Sequence, residues 1–202
     1  MIEQNTPEWL QQRLGHVTAS GVADVMAKGK AGESLTRAKY KIRLVTERMT
    51  GQIQESFTNA AIEWGKEQEP YAAAAYEAKY GVLTDTIGFC KHPTIEWLGA
   101  SPDRLVGDDG LIEIKCPNSQ TMVQYILDGR VPGDYYKQIQ CQLWVTGRNW
   151  CDFVAYDPRL NKRNQLLVIP VERDIEMISL MEQEVVKFLS EVEALINQLE
   201  QQ

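Results

Sequence analysis

Histidine and cysteine, the residues that most often bind zinc or iron, are scarce in this sequence of 202 residues. We expect neither histidine to bind a metal, because His16 is at a predicted helix junction and His92 is in a predicted turn. The cysteines lie in apolar segments and include no Cys-X-X-Cys pair: Cys90, Cys116, Cys141 and Cys151. This spacing argues against a zinc site or a disulfide framework and predicts buried free thiols.

Long apolar runs and excess positive charge are also missing. No apolar run is long enough to cross a bilayer, and residues 1–6 lack the regions of a signal peptide, so we expect a cytoplasmic protein without membrane contact. The formal net charge of -7 excludes a simple basic coat for nucleic acid. Basic residues prevail in 1–50 and acidic residues after 172, so DNA binding requires basic residues gathered on one surface.

The length and an average composition predict a single domain, residues 1–202. We expect a helical part over about 1–80, a sheet core over about 82–172 and a C-terminal helix over about 174–199. Periodicity and capping residues predict helices at 7–13, 21–27, 36–50, 59–80, 119–127, 133–145 and 174–198. Pro70 predicts a kink or break. The last helix has apolar residues at a three-four spacing, which fits either a coiled-coil seam or a core helix.

Apolar or alternating runs predict strands at 82–89, 97–106, 111–115, 150–156 and 166–172. The turn 107–110 is rich in residues that tolerate positive φ, so the second and third strands form a hairpin. Because side chains alternate along a strand, Glu113 and Lys115 project to the same side, with Asp103 across the hairpin. Two carboxylates beside an ammonium suit metal-assisted hydrolysis of a phosphodiester, in which a lysine orients or deprotonates water. The leading hypothesis is a nuclease.

Two other segments bear on this hypothesis. Thr18 or Ser20 is predicted to cap the helix 21–27 near Arg13, a combination suited to an anion, although local features alone favour an ordinary capped helix with a surface arginine. Glu67 and Glu69 cannot share a helix face, so we expect one of them at most to reach a metal.

Several motifs follow one another in a single order along nearly the whole chain. They are Arg13-Leu-Gly-X-X-Thr-Ala-Ser20, Trp64-Gly-Lys66, Ser101-Pro-Asp103, Glu113-Ile-Lys-Cys-Pro117, Tyr135-X-X-Gln138-X-Gln140, Leu143-Trp-Val-Thr146 and Tyr156-Asp-Pro-Arg159. Together they resemble the phage lambda exonuclease family, or YqaJ-type viral recombinases, within the PD-(D/E)XK nuclease superfamily. The resemblance implies an α/β fold with a central mixed sheet flanked by helices, of the restriction-endonuclease-like type.

The resemblance also implies an activity. The enzyme would be a magnesium-dependent exonuclease that digests the 5′-ended strand of linear duplex DNA, releases 5′-mononucleotides and leaves 3′ single-stranded tails for recombination. Two magnesium ions per site, replaceable by manganese, would be held by Asp103, Glu113, Glu69 and the carbonyl of Ile114. Lys115 would position or activate water, and Gln138 would assist. The terminal 5′-phosphate would be held by Arg13, Ser20, Ser101 and Gln138. The implied DNA contacts are Lys30, Ile62 and Tyr135, with Ile62 as the wedge at the terminal base pair.

The implied assembly is a ring-shaped homotrimer that works with a single-strand annealing recombinase, encoded by a phage or prophage in a bacterial host. A basic channel with an acidic rim would reconcile the net charge with DNA binding. Alternatives are a Cas4-like or RecB-like nuclease of other polarity, a non-catalytic DNA-end-binding module and a restriction endonuclease. Cys141 and Cys151 do not supply the iron–sulfur ligands of many enzymes of the first kind.

Overall fold

The structure is a computed structural model that describes residues 2–30, 32–54 and 60–201. Its helices are α1 (Pro7–Arg13), α2 (Val22–Val25), α3 (Leu35–Thr50), α4 (Ala60–Tyr80), α5 (Ser119–Asp128), α6 (Gly133–Thr146) and α7 (Ile175–Glu200). Its strands are β1 (Val17–Thr18), β2 (Lys28–Gly29), β3 (Gly32–Glu33), β4 (Thr84–Asp85), β5 (Cys90–Lys91), β6 (Leu98–Ala100), β7 (Arg104–Val106), β8 (Gly110–Lys115), β9 (Trp150–Tyr156) and β10 (Leu166–Glu172).

A five-stranded sheet with the order β10-β9-β8-β7-β4 forms the centre of the molecule. The pair β8 and β9 is parallel, and the other neighbours are antiparallel. Parallel neighbours need a crossover, and α5 and α6 provide it between β8 and β9. A smaller sheet, β1-β6-β5, and the ribbon of β2 and β3 complete the strands.

Helices cover both faces of the larger sheet. Towards α4, the buried contact consists of Ala72, Ala73, Tyr76, Ile112, Ile114 and Val154. On the opposite face, α5 and α6 pack through Met122, Ile139 and Leu143 onto Leu111, Cys151, Phe153 and Ala155. The alternation of β8 therefore divides its apolar residues between two cores, as expected for a strand at the centre of a sheet. The predicted α/β fold is confirmed.

A third core joins the smaller sheet to α2, α3, α6 and α7. The helix α7 buries Ile178, Met181, Val185, Phe188 and Val192 in it, so its three-four spacing marks a core helix. At the edge of this core, Glu191 accepts hydrogen bonds from Arg37 Nη1 at 2.6 Å and Lys41 Nζ at 2.7 Å, tying α7 to α3.

The predicted strand 97–106 is wrong as one element, because it divides into β6 and β7, which belong to different sheets. Pro102 lacks an N–H, and its carbonyl accepts a hydrogen bond at 2.7 Å from Gln4 Nε2. This places Asp103 in a break directly before β7. The predicted strand 82–89 is likewise reduced to β4, and β5 begins at Cys90.

Three further predictions about the N-terminal half need correction. Neither Thr18 nor Ser20 caps α2, because a 3₁₀ turn at Ala19–Gly21 precedes the helix; the two hydroxyls instead lie 3.1 Å apart and bond each other. This half also contributes three strands, so it is not purely helical. The helix α4 continues through Pro70 without breaking in two.

An interior proline costs about 3 kcal/mol, and the burial of Ala72, Ala73 and Tyr76 against the sheet offsets that cost. The cap predicted at Asn59 lies outside the described residues.

All four cysteines are free thiols, as predicted; Cys141 and Cys151 are buried, and the other two are half-buried. Among the helices that the structure describes, none has the length and apolar character that crossing a membrane requires.

Candidate active site

The β7–β8 hairpin brings Asp103 beside Glu113. Arg104 pairs with Ile112, and the turn between the strands contains Gly107 at a φ of +51°, a conformation that glycine adopts without strain. Because the strands run antiparallel, the residue before Arg104 lies opposite the residue after Ile112. The predicted hairpin is therefore confirmed, with the two acids on adjacent positions across it.

Asp103 extends the hairpin by one interaction. Its Oδ2 accepts a hydrogen bond at 2.6 Å from the backbone N–H of Ile114. The N–H and C=O of a strand residue point to the same edge, so the Ile114 carbonyl also points towards Asp103. Burial, followed by the negative charge of Glu113, raises the pKa of Asp103 well above its ordinary value.

Glu113 is fully buried, and both of its carboxylate oxygens are held. Gln138 Nε2 donates to Oε1 at 2.7 Å, and Gln142 Nε2 donates to Oε2 at 2.6 Å. Lys115 Nζ also donates to Oε1. A buried carboxylate requires such donors, and here they fix its orientation from α6 and from its own strand.

Lys115 stands between the acids and an aromatic ring. Its Nζ lies 4.9 Å from the centre of the Tyr135 ring, within reach of a cation–π interaction. Burial opposes the positive charge, but the carboxylates of Glu113 and Asp103 outweigh it and raise the pKa of Lys115 above its ordinary value. Lys115 is therefore an ammonium group in the metal-free protein.

Glu69 reaches the same centre from α4, whereas Glu67 is exposed. Glu69 Oε1 accepts from Arg104 Nη1 at 3.2 Å, and the same nitrogen donates to the Asp103 carbonyl at 2.7 Å. Arg104 thus connects the acid on the helix to the acid in the hairpin. This agrees with the expectation that one of the two helix acids approaches the site.

A cavity of about 820 Å³ opens over these residues. It is lined by Glu69, Asp103, Ile114 and Lys115 on the acidic side, and by Ile62, Trp64, Tyr125, Tyr135 and Arg159 elsewhere. Ile62 is 41% exposed, which leaves apolar surface at the cavity. Tyr135 stacks on Phe153 as well as facing Lys115, so this predicted DNA contact lies next to the acids.

The donor chemistry of this centre fits a hard divalent cation. Asp103, Glu69 and the Ile114 carbonyl offer oxygen ligands, and a cation would offset both the burial of charge and the repulsion from Glu113 that raise the pKa of Asp103. Across the described ranges, no three His, Cys, Asp or Glu side chains are already gathered into a metal site. Glu113 and Glu69 are instead paired with Lys115 and Arg104. A metal ion bound by Glu69 would therefore replace Arg104 as the partner of that carboxylate.

Arg13 and Ser20 line a second cavity, of about 210 Å³, together with Thr18 and Arg43. In the part of the chain that the structure describes, no carboxylate pairs with Arg13; its guanidinium lies 4.1 Å from the centre of the Trp9 ring. Burial lowers its pKa. The carboxylates of Asp24 and Glu47 also line this cavity, but neither forms an ion pair with Arg13. A partly desolvated guanidinium with no ion-pair partner among the described residues, in a cavity with an exposed hydroxyl, is suited to an anion.

The other residues predicted to hold the phosphate lie outside this cavity's lining. Ser101 Oγ accepts a hydrogen bond from Trp9 Nε1 at 3.0 Å, so Trp9 connects it to Arg13. Gln138 donates a hydrogen bond to Glu113 instead.

Lys30, a predicted DNA contact, is exposed at the end of β2. Neither histidine approaches the acids: His16 packs on Phe89 and Trp97, and His92 packs on Trp144.

Sequence reasoning missed Gln142 and Arg104. Gln142 is four residues after Gln138 and so shares its helix face, a spacing that was available in the sequence. The local sequence could not predict which face of α6 packs against β8. Arg104 follows Asp103 directly, and its contact with Glu69 depends on how α4 packs.

A mixed sheet with helices on both faces, bearing one acid directly before β7, a second acid on the neighbouring β8 and a lysine two residues beyond the second acid, defines a fold of the PD-(D/E)XK nuclease type. Residues 8–149 match the YqaJ-like viral recombinase domain, and the chain belongs to that family.

Solved structures support the same placement. An alkaline exonuclease (LHK-Exo) from Laribacter hongkongensis is 46% identical, with a TM-score of 0.92 and 97% of both chains covered; its complex with dAMP gives the same values. A phage related exonuclease from Haemophilus somnus shares the fold, with a TM-score of 0.70 at 15% identity over 91% of this chain and 96% of that one.

A curated relative, an uncharacterized protein of Acanthamoeba polyphaga mimivirus, is 28% identical over 168 residues. The match covers 76% of this chain, which spans 29% of the length of the viral protein.

Proposed function

We propose that this protein is a magnesium-dependent exonuclease that degrades the 5′-ended strand of linear duplex DNA. The products would be 5′-mononucleotides and a 3′ single-stranded tail for recombination by annealing. The observation that carries the proposal is the juxtaposition of Asp103, Glu113 and Lys115, with Asp103 and Lys115 lining one large cavity and Glu113 buried beside them. The similarity to an alkaline exonuclease over 97% of the chain supports it.

The acids and one carbonyl would hold the metal: Glu69, Asp103, Glu113 and Ile114. When bound, magnesium or manganese supplies Lewis-acid polarisation of the phosphate and lowers the pKa of a bound water. Each of these ligands is an oxygen, the donor type that magnesium prefers. Arg104 would withdraw from Glu69 as that carboxylate turns to the metal.

Lys115 would orient or activate the attacking water at the scissile phosphate. Its Nζ is held against Glu113 Oε1, so the ammonium has a fixed position from which to contact a phosphate oxygen or water. Gln138 would hold Glu113 in the orientation that this chemistry needs, which agrees with its hydrogen bond to Oε1.

The Arg13 cavity would bind the terminal 5′-phosphate. Arg13 would supply the charge, with the Ser20 hydroxyl beside it and Ser101 connected through Trp9. Ile62, with apolar surface at the large cavity, would separate the terminal base pair, and Lys30 would contact the duplex backbone. A homotrimeric ring and a single-strand annealing partner belong to the same proposal.

Digestion of end-labelled duplex tests the proposal. Linear duplexes labelled at the 5′ or the 3′ end, with and without a terminal 5′-phosphate, are incubated with Mg²⁺ or with EDTA. We expect early release of the 5′ label as a mononucleotide, retention of the 3′ label, preference for the phosphorylated end and no digestion in EDTA.

Covalently closed circular DNA is the control substrate. Cleavage of circles at a rate comparable to that of linear duplex would contradict exonuclease action and indicate an endonuclease. Early release of the 3′ label would indicate a nuclease of the opposite polarity. Binding of ends without cleavage under any metal would indicate an end-binding module.

A further inference from the structure

Gln142 lies one helical turn beyond Gln138 on α6 and makes the innermost contact with Glu113. Its side chain is fully buried, and its Nε2 donates to Glu113 Oε2 at 2.6 Å. Gln138 and Lys115 both donate to the other oxygen, Oε1. Gln142 is therefore the side chain that holds the inner oxygen of this carboxylate.

The contact dictates how the Gln142 amide is turned. A carboxylate can accept hydrogen bonds but cannot donate them, so the amide must present its NH₂ group to Glu113. Its carbonyl oxygen, Oε1, is then buried and finds no hydrogen-bond partner among the residues that the structure describes. A buried amide with half of its hydrogen bonding unmet is unfavourable for folding. Its presence here indicates a use other than stability.

Gln140, on the same helix, shows the contrasting arrangement. It is also fully buried, but its Nε2 donates to the Glu172 carbonyl at 2.8 Å and its Oε1 accepts from the Asp174 N–H at 2.8 Å. Both ends of this amide are satisfied by backbone groups, away from the acids. Gln140 therefore fastens α6 to the end of β10 and the start of α7.

We propose that Gln142 is a positioning residue for the metal ligand Glu113. By holding Oε2, it fixes the carboxylate rotamer and leaves Oε1 towards Lys115, which lines the large cavity. Hydrogen-bond partners of ligating carboxylates set metal affinity in this way. The inference rests on the proposed function in taking Glu113 as a metal ligand.

The matched variants Gln142→Met and Gln140→Met test it, since methionine resembles glutamine in shape but has no amide. For each protein, Mn²⁺ binding is measured by calorimetry without DNA, and kcat and KM are measured on 5′-phosphorylated duplex. We expect Gln142→Met to bind Mn²⁺ about 10-fold to 100-fold more weakly and to lose kcat by a similar factor, with KM for DNA unchanged. Gln140→Met should unfold at a lower denaturant concentration but keep the wild-type Mn²⁺ affinity and kcat.

Gln142→Leu serves as a second variant if Gln142→Met does not fold. Wild-type Mn²⁺ affinity in either folded variant overturns the inference, and so does an equal loss of affinity in Gln140→Met. If the wild-type protein binds Mn²⁺ but cuts no DNA, the proposed function fails while the affinities still decide the role of Gln142. If the wild-type protein binds no Mn²⁺, both proposals are overturned.

Discussion

Around Glu113, each carboxylate oxygen receives a hydrogen bond from a neighbouring side chain, whereas the Arg13 guanidinium, in a separate cavity, has the Trp9 ring beside it and no carboxylate partner among the described residues. At the first centre, the charge of the Glu113 carboxylate is compensated by side chains of the same chain. At the second, Arg13 forms no ion pair with the carboxylates of Asp24 and Glu47 that line the same cavity, so its guanidinium can pair with an external anion. In the proposed function, chemistry that needs fixed geometry and binding of an incoming DNA end would thus have different structural solutions in one molecule.

The largest expected effect is at the internally paired centre. We expect Lys115→Ala to lower kcat by about 10²-fold to 10⁴-fold, because the variant lacks the ammonium group that is proposed to position water. Binding of 5′-phosphorylated duplex in Ca²⁺ should stay within a few fold of the wild type, as measured by fluorescence anisotropy. Lys79→Ala, which removes an equal charge at the end of α4, is the control and should digest DNA normally. Unchanged turnover in Lys115→Ala would remove Lys115 from the mechanism.

The open cavity should respond to the DNA end. A charged hydrogen bond is worth about 1.5–3 kcal/mol, so Arg13→Ala should slow digestion of 5′-phosphorylated ends by about 10-fold to 100-fold. Ends with a 5′-hydroxyl should be digested at nearly the wild-type rate for such ends. Lys39→Ala, on the exposed face of α3, controls for the loss of one positive charge. Equal losses on both kinds of end would show that Arg13 does not read the phosphate.

The pH dependence of stability tests how far the acidic centre needs a cation. The pKa of Asp103 is raised in the folded state. The contribution of Asp103 to the free energy of unfolding is therefore fully present below its ordinary pKa of 3.8, and it is lost as the pH rises through the folded-state pKa. Each unit of the rise corresponds to about 1.4 kcal/mol. In metal-free buffer above that window, Asp103→Asn should therefore be more stable than the wild type.

Urea unfolding over a pH series, with and without Mg²⁺, measures this effect. Mg²⁺ should stabilise the wild type and leave Asp103→Asn unchanged, since the variant lacks a carboxylate that is proposed to bind the metal. Identical pH profiles of the two metal-free proteins would show that the Asp103 charge is already compensated inside the chain.

The smallest effect is expected at Glu191, which lines neither cavity. The hydrogen bond from Arg37, and then that from Lys41, lower the pKa of Glu191 to about 2 against the opposing effect of burial. This stabilisation is present above the ordinary pKa of 4.5 and is lost as the pH falls towards 2. Glu191→Gln should lower the free energy of unfolding at pH 7 by about 1–2 kcal/mol, allowing for partial exposure, with little difference at pH 2.

Digestion by Glu191→Gln should be normal at a temperature where the variant is folded. Loss of activity there would show that the link between α3 and α7 also supports the Arg13 cavity, and that the two regions are not independent.

Local sequence patterns predicted the strands at 150–156 and 166–172 and the β7–β8 hairpin, because alternation and turn residues act over a few positions. They could not predict that β6 leaves the hairpin to pair in parallel with β1, a contact between Leu98 and Val17 that is distant in sequence. Pro102 by itself favours a break in the strand. The hydrogen bond that the Pro102 carbonyl accepts at this break comes from Gln4, almost a hundred residues earlier, and cannot be predicted from local sequence.

The site shows the same contrast between features set by local sequence and features set by distant contacts. Strand alternation placed Glu113 and Lys115 on one side, and helix periodicity excluded one of the two acids on α4. The assignment of Gln142, rather than Gln140, to Glu113 required the phase of α6 over β8, which is set by packing of Ile139 and Leu143. Pro70 predicted a kink or a break, and α4, buried against the sheet, continues through it as one helix.

The parallel pairing of β8 with β9 also sets the order in which the protein can become active during synthesis. A nascent chain that has emerged as far as Lys115 already contains both hairpin acids and the lysine. It still lacks Gln138 and Gln142, the amides that hold Glu113, which lie 25 and 29 residues after Glu113. It also lacks β9, the strand that pairs with β8. Contacts of this separation form late, so the nuclease centre stays incomplete until α6 has folded and β9 has paired.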